Sequence, residues 1–240
     1  MEILIDKDYE AMSLRAANAV AECIKRQPDA VICLASGDTP KRMCTLLAEK
    51  IQSTGIDISQ CSFIGLDEWV GIPPENAGSC SNFFHTYLFN PLQLPASQYY
   101  LFDAMAGDLQ QQCDLMNAHI AAKGGIDLMM VGVGMNGHIG FNEPGVSIDN
   151  HAHVIVLDEL TQTVGQKYFN GPVTIDKGIT LGLQNLLEAR QVIMIANGAK
   201  KAPVIKRAVH DEISTSFPAT IMRMHTNSIL MLDEAAAATI

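Results

Sequence analysis

The stretch IDLMMVGVGMNGHIGFNEPG, residues 126–145, joins a buried-strand pattern to a polar loop rich in glycine. Its first part is a short, continuous apolar run, which is typical of a strand covered on both faces. From Gly132 onward it carries five glycines together with Asn136, His138 and Glu143. A strand that ends in so flexible and polar a segment indicates a loop that carries function.

Working outward from this stretch, other apolar runs of strand length alternate with helical patterns. Nearly continuous apolar strands separated by helices predict an α/β fold: a doubly wound, Rossmann-like three-layer sandwich with a mostly parallel sheet in a single domain. In such a sheet, ligands bind at the carboxyl ends of the strands, where the strand order switches. The predicted strands are 30–35, 61–66, 98–102, 126–134, 153–157, 191–196 and 228–233, and the predicted helices are 8–26, 40–54, 79–89, 108–123 and 199–209.

The composition narrows the class of protein. A chain of 240 residues with 48% hydrophobic residues can form one sizeable domain. A net charge of −10 with no basic cluster argues against nucleic acid and anionic membranes as partners. The six cysteines form no CxxC pair and no zinc-like spacing, so we expect buried free thiols. The first twenty residues lack a signal-peptide pattern, and we expect a cytoplasmic protein.

A second strand-end loop is LASGDTPKRM, residues 34–43. Thr39 is suited to cap a helix and Pro40 to open it, which would leave free backbone N–H groups for an anion. Gly37 would let a ligand approach the backbone, whereas the carboxylate of Asp38 would repel an anion unless it points away. An ordinary β–α turn is the alternative interpretation.

A third loop, GLDEWVGIPPENAGS at 65–79, places Asp67 and Glu68 side by side at a strand end. In extended backbone their side chains point to opposite sides, so one can face a cleft while the other supports the structure. A solvated acidic turn is the alternative.

His138 lies five residues before Glu143 in the opening stretch. A carboxylate that accepts from one ring nitrogen fixes the tautomer and leaves the other nitrogen for proton transfer; Glu143 or another acid could supply it. Neither a helical His pair for a metal nor a GxSxG nucleophile motif is present. Lys167, Lys200 and Lys201 could meet a phosphate, or could simply be solvated.

The motifs SGDTP, LDEWVGIP and GHIGFNEPG together resemble the glucosamine-6-phosphate deaminase family, part of the superfamily of glucosamine-6-phosphate isomerases and 6-phosphogluconolactonases. The resemblance covers nearly the whole chain. It implies conversion of an aminosugar 6-phosphate to fructose 6-phosphate and ammonia, without a metal or organic cofactor. Asp67 would move a proton between C2 and C1 through an enediol-type intermediate, His138 would open the sugar ring, and Glu143 would support His138.

The resemblance also implies a phosphate site. The backbone of Ser36, Gly37, Asp38 and Thr39 would hold the phosphate together with Lys201 and Lys167, and Lys167 would lie on a lid at about 153–180. The partner would be a phosphorylated aminosugar, bound by a monomer or small homo-oligomer.

Three departures point to a divergent paralogue and leave the substrate open. Asn136 stands where well-known deaminases carry Asp, Asp38 replaces a small residue of the phosphate loop, and Lys167 replaces an Arg. A non-catalytic sugar-phosphate sensor therefore stays an alternative. So does a 6-phosphogluconolactonase-like hydrolase, although GHIGFNEP disfavours it.

Overall fold

The computed structural model describes residues 1–240, along which strands and helices alternate. The strands are β1 (Glu2–Asp6), β2 (Val31–Leu34), β3 (Ser62–Gly65), β4 (Asp67–Trp69), β5 (Tyr99–Tyr100), β6 (Leu128–Val131), β7 (His153–Val156), β8 (Lys177–Thr180), β9 (Val192–Ala196) and β10 (Ser228–Asp233). The α-helices are α1 (Tyr9–Arg26), α2 (Asp38–Thr54), α3 (Cys80–Phe84), α4 (Asn90–Leu92), α5 (Leu109–Ala122), α6 (Glu159–Gly165), α7 (Leu183–Glu188) and α8 (Ala202–His210). A π-helical turn, His85–Phe89, joins α3 to α4, and short 3-10 helices include Gln166–Tyr168 and Ala199–Lys201.

Seven strands form one entirely parallel sheet in the order β1-β10-β9-β6-β2-β3-β5. From β2 the chain runs outward through β3 to β5. It then crosses to β6 and runs outward in the other direction through β9 to β10. The order therefore reverses between β2 and β6, which confirms the predicted doubly wound α/β fold and locates its switch point.

Helices cover both faces of this sheet. Every residue of β2, β3, β6 and β9 is buried, as the continuous apolar runs predicted. Two hydrophobic clusters of 33 and 32 buried residues lie on the two faces, and alternate residues of β2 belong to each. All six cysteines are buried free thiols, in agreement with the expectation. No helix combines the length and apolar character that a membrane span requires.

A second, three-stranded antiparallel sheet, in the order β4-β8-β7, stands apart from the parallel sheet. The predicted strand 153–157 forms β7 here and is only partly buried, so its assignment to the main sheet was wrong. The sequence patterns also missed β1, β4, β8 and the short helices α6 and α7. Strands of three to five residues and helices of one or two turns hold too few residues to show a period.

Candidate active site

The polar loops singled out in the sequence lie at one edge of the parallel sheet. The loop 36–39 follows β2 and the loop 132–138 follows β6, so these two flank the switch point. Asp67 comes after β3, the neighbour of β2, and Lys201 comes after β9, the neighbour of β6. Because all these strands are parallel, their carboxyl ends bring the four segments to the same edge.

His138 is held at one ring nitrogen. Its Nδ1 lies 3.3 Å from Oε2 of Glu143 and 3.1 Å from the hydroxyl of Thr161. Asn136 completes the arrangement, because its amide nitrogen donates to the same Glu143 oxygen at 2.7 Å and its Oδ1 accepts from the backbone N–H of His138 at 3.2 Å. Asn136 therefore orients the pair through hydrogen bonds without adding a charge of its own.

Glu143 is buried, with 4% of its surface exposed, and is ionised in this environment. Burial acts to raise the pKa of Glu143, but the hydrogen bond and charge of His138, with hydrogen bonds from Thr161 and Asn136, lower it overall. A carboxylate can only accept, so Nδ1 of His138 carries the hydrogen and Nε2 is the free acceptor. A Cβ at Gly134 would clash with Nε2, so glycine is required beneath the ring.

Asp67 and Glu68 have different surroundings, as expected for neighbouring side chains on extended backbone. Glu68 is buried and accepts from the backbone N–H groups of Trp69, Cys80 and Ser81 at 2.8 to 2.9 Å, which fixes the start of α3. Asp67 has no such partners. Burial and the charge of Glu68 raise the pKa of Asp67 to about 7, a value suited to a general base at neutral pH.

The Cys80 thiol is the one side-chain donor to Asp67, with Sγ 3.6 Å from Oδ1. Burial, followed by the charges of Glu68 and Asp67, raises the pKa of Cys80 well above its usual value, so the thiol keeps its proton and donates it. Cys80 therefore contacts the carboxylate of Asp67, and its apolar sequence context did not reveal this position.

The phosphate loop begins α2 in a different way from the prediction. The helix starts at Asp38 with Gly37 as its N-cap, at φ = 114°, rather than at Pro40 with Thr39 as the cap. The cap prediction was wrong because the Thr39 hydroxyl donates across the sheet edge to Asn197 at 2.6 Å. Glycine takes the N-cap position because its positive φ strains any other residue.

Two lysines approach this loop from separate elements. Lys167, in the turn after α6, donates to Asp38 at 2.6 Å. Lys201 donates to the carbonyl of Val133 at 2.5 Å, so the alternative of a simply solvated lysine is wrong for this residue. Burial and the positive charge of Lys167 lower the pKa of Lys201 to about 8, although the charge of Asp38 opposes the shift. No group of three or more His, Cys, Asp or Glu is arranged to hold a metal ion.

The three clusters around Asp67, His138 and the phosphate loop are linked to one another. Thr180 pairs with Asp67 across the small sheet, and its hydroxyl accepts from the backbone N–H of Phe141 at 3.2 Å, three residues beyond His138. Lys201 ties the phosphate cluster to the loop after β6 through Val133.

Sequence reasoning missed Thr161, Tyr168 and Thr180, all of which contact these clusters. Thr161 lies 23 residues beyond His138 along the chain. No spacing signal could have connected them, because the fold alone brings α6 over the imidazole.

The doubly wound α/β sheet thus gathers a carboxylate of raised pKa, an imidazole–carboxylate pair and two lysines at the carboxyl ends of its central strands, which are the groups that a candidate acid–base site for a small anionic ligand would need. Residues 6–231 match the family of glucosamine-6-phosphate isomerases/6-phosphogluconolactonase, and the chain belongs to this family.

The relatives cover the chain from end to end. It is 34% identical over 241 residues to the glucosamine-6-phosphate deaminase of Thermoanaerobacter pseudethanolicus, covering 100% of this chain and 95% of the relative. It is 37% identical over 238 residues to the glucosamine-6-phosphate deaminase of Clostridium perfringens, and the match covers 99% of this chain and 98% of the relative. A solved structure of a monomeric glucosamine-6-phosphate deaminase matches all of both chains with a TM-score of 0.96 at 29% identity.

Proposed function

We propose that this protein is a hexosamine-6-phosphate deaminase, converting glucosamine 6-phosphate or a related aminosugar phosphate to fructose 6-phosphate and ammonia. The observation that carries the proposal is that one edge of the sheet holds both a half-buried carboxylate of pKa about 7, Asp67, and an imidazole whose Nδ1 is fixed by Glu143. The proposal is supported by the two deaminases that are 34% and 37% identical to this chain over 100% and 99% of its length. A cytoplasmic location and action as a monomer or small homo-oligomer are parts of the proposal.

His138 acts first in this mechanism. Its free Nε2 relays the proton of the C1 hydroxyl to the ring oxygen, so that the pyranose opens to the aldehyde. Glu143 stabilises the imidazolium that forms on the way, and Asn136 keeps Glu143 in place. A histidine suits this step because it changes protonation near neutral pH.

Asp67 acts second. Its ionised carboxylate takes the proton from C2 and returns it to C1, and the product is the imine at C2. Water then adds to the imine and ammonia leaves, so the net reaction consumes one water. Burial that raises the pKa of Asp67 makes it a stronger base than an exposed carboxylate.

The phosphate lies away from the bonds that change. We assign its binding to the backbone of Ser36, Gly37, Asp38 and Thr39 with Lys201 and Lys167. The segment 153–180 would close over the sugar as a lid. The phosphate contacts position the substrate without taking part in the chemistry.

Substitution of Lys167 by alanine tests this grip. We expect a Michaelis constant raised about 10-fold or more with a smaller change in kcat, since one charge-assisted contact is lost from binding. Steady-state kinetics would measure the Michaelis constant and kcat separately, and a fall in kcat alone would contradict the assignment. Lys200→Ala is the matched control, because Lys200 is exposed and has no partner in the site.

The reaction itself is tested with pure protein and the 6-phosphates of glucosamine, galactosamine and mannosamine, with ammonia and ketose 6-phosphate as readouts. We expect turnover of at least one, and none with Asp67→Asn. Binding without ammonia would favour the sensor alternative. Hydrolysis of 6-phosphogluconolactone alone would favour the lactonase, and either result would refute the deaminase.

A further inference from the structure

The phosphate loop is occupied by the protein's own side chains. Lys167, which would hold the phosphate, donates to the Asp38 carboxylate at 2.6 Å. The Tyr168 hydroxyl lies against Gly37, the N-cap of α2. The same hydroxyl lies 3.4 Å from where a Cβ of Gly37 would be, so the ring lies directly over the loop.

These contacts match the groups that an incoming phosphate would use. A phosphate would accept from N–H groups at the start of α2 and pair with Lys167. In the free protein the Tyr168 hydroxyl lies over the first of these positions, and the Asp38 carboxylate takes the second. The ring of Tyr168 also lies 4.8 Å from Nζ of Lys167, which places that lysine between two partners.

The charges around the loop determine how the Asp38 carboxylate affects an incoming phosphate. Lys167 and Lys201 are the cations, and they are close enough for the charge of Lys167 to contribute to the lowered pKa of Lys201. Asp38 cancels one of the two positive charges. A phosphate that entered with Asp38 in place would meet a like charge and would have to displace it from Lys167.

We propose that Asp38 sets the affinity of the site for phosphate groups, because its carboxylate competes within the molecule with the phosphate of any ligand for Lys167. Every phosphate compound must displace it. A sugar phosphate offsets that cost through additional contacts of its sugar, whereas inorganic phosphate has none. Asp38 therefore keeps inorganic phosphate from occupying the site. This inference rests on the proposed function only for the identity of the sugar phosphate.

The test is the affinity for inorganic phosphate, measured by titration calorimetry on the full chain. Asp38→Asn removes the charge at nearly constant volume, and 70% of the Asp38 side chain is exposed, so we expect the variant to fold. We expect its dissociation constant for phosphate to fall about 3- to 10-fold at low salt, with a smaller fall at high salt. Its Michaelis constant for the aminosugar phosphate should fall in the same proportion.

Glu2→Gln is the matched control, since it changes the net charge equally. Glu2 is exposed at the amino end of β1, at the edge of the sheet opposite the site, and its phosphate affinity should equal that of the wild type. Tyr168→Phe is the second variant. It removes the hydroxyl that lies over Gly37 while keeping the ring, and should also tighten phosphate binding.

Hydrogen exchange provides a readout that needs no ligand. If Asp38 holds the turn after α6 against the loop, amides of 159–175 should exchange faster in Asp38→Asn than in the wild type or Glu2→Gln. Unchanged or weaker phosphate binding in Asp38→Asn would overturn the proposal. Because phosphate binding requires no turnover, a wild type that releases no ammonia would refute the deaminase while leaving this inference standing.

Discussion

Asp67 and Glu68 are neighbours in sequence with opposite surroundings. Glu68 accepts three backbone hydrogen bonds, whereas Asp67 is half-buried beside that charge with a single thiol donor. A carboxylate that is hydrogen-bonded supports structure, and one that is poorly solvated is a stronger base. The destabilising environment of Asp67 is thus the property that its proposed role needs.

We expect Asp67→Asn to be inactive and, at alkaline pH, more stable. The folded-state pKa of Asp67, about 7, exceeds the ordinary value of 3.8. Its ionisation therefore destabilises the fold progressively as the pH rises from about 4 to 7, and fully above that range. The free energy of unfolding of Asp67→Asn should therefore exceed that of the wild type by up to ~4 kcal/mol at pH 8, because each pKa unit corresponds to ~1.4 kcal/mol. The difference should vanish near pH 4. Urea unfolding at both pH values measures this, and an equal gain at both would contradict it.

Cys80 allows the hydrogen bond to Asp67 to be tested separately. Cys80→Ala removes the donor, which should raise the pKa of Asp67 further and shift the acid limb of the pH profile of kcat/KM upward by ~0.5–1 unit. Cys80→Ser keeps a donor and should restore the wild-type limb. Cys113→Ala, a buried cysteine on α5, is the control. A wild-type profile for Cys80→Ala would exclude the role.

The segment β7-α6-β8 connects the small sheet to the site. Its two strands pair with each other, and β8 also pairs with β4, so the ends of the segment are fixed beside Asp67. Between them, α6 places Thr161 against His138, and the following turn places Lys167 against Asp38. One element thus contacts the proposed ring-opening group and the proposed phosphate grip together, which is what a lid requires.

Thr161→Val tests whether α6 positions His138. The substitution keeps the shape and removes the hydroxyl, so the imidazole loses one of its two Nδ1 partners. We expect kcat to fall about 3- to 10-fold with little change in KM, since a hydrogen bond of roughly 1 kcal/mol is lost from the chemical step. Thr163→Val, on the exposed side of the same helix, should match the wild type. Equal kcat for the two variants would exclude the contact from catalysis.

Across the whole molecule, stability and the site depend on different ends of the parallel sheet. Asp127, at the amino end of β6, accepts from the backbone N–H of Val31 at 2.8 Å and pairs with Arg190, which precedes β9. This buried carboxylate therefore joins three adjacent strands at the edge opposite the site.

Asp127→Ala should destabilise the fold without entering the chemistry. It leaves the buried N–H of Val31 unpaired and removes the ion pair with Arg190, at ~2–3 kcal/mol, which is ~5–10 °C in Tm for a chain of this size. Calorimetry measures the shift, and kinetics at 20 °C should retain the wild-type Michaelis constant. Glu212→Ala, an exposed acid, is the control. An unchanged Tm would show that the contacts of Asp127 contribute nothing to the stability of the fold.

The fold class could be predicted because buried parallel strands leave long apolar runs, as in β6 and β9. The family could be predicted because GHIGFNEPG and LDEWVGIP are contiguous motifs, and both predictions are confirmed. The helix start at Asp38 could not be predicted, because Thr39 has cap chemistry but its hydroxyl bonds instead to Asn197. The roles of individual site residues stay predictions until the variants are measured.

The chain's local patterns were enough to establish the doubly wound class, the buried thiols and the loops that carry polar residues. Those properties depend on neighbours in sequence: hydrophobic period, turn chemistry and motif order. The contact of Thr161 with His138, the donor to Asp67 and the ion pair between Asp38 and Lys167 depended on folding. They join residues 23, 13 and 129 positions apart, and such contacts arise only when separate strands and helices meet at the switch point.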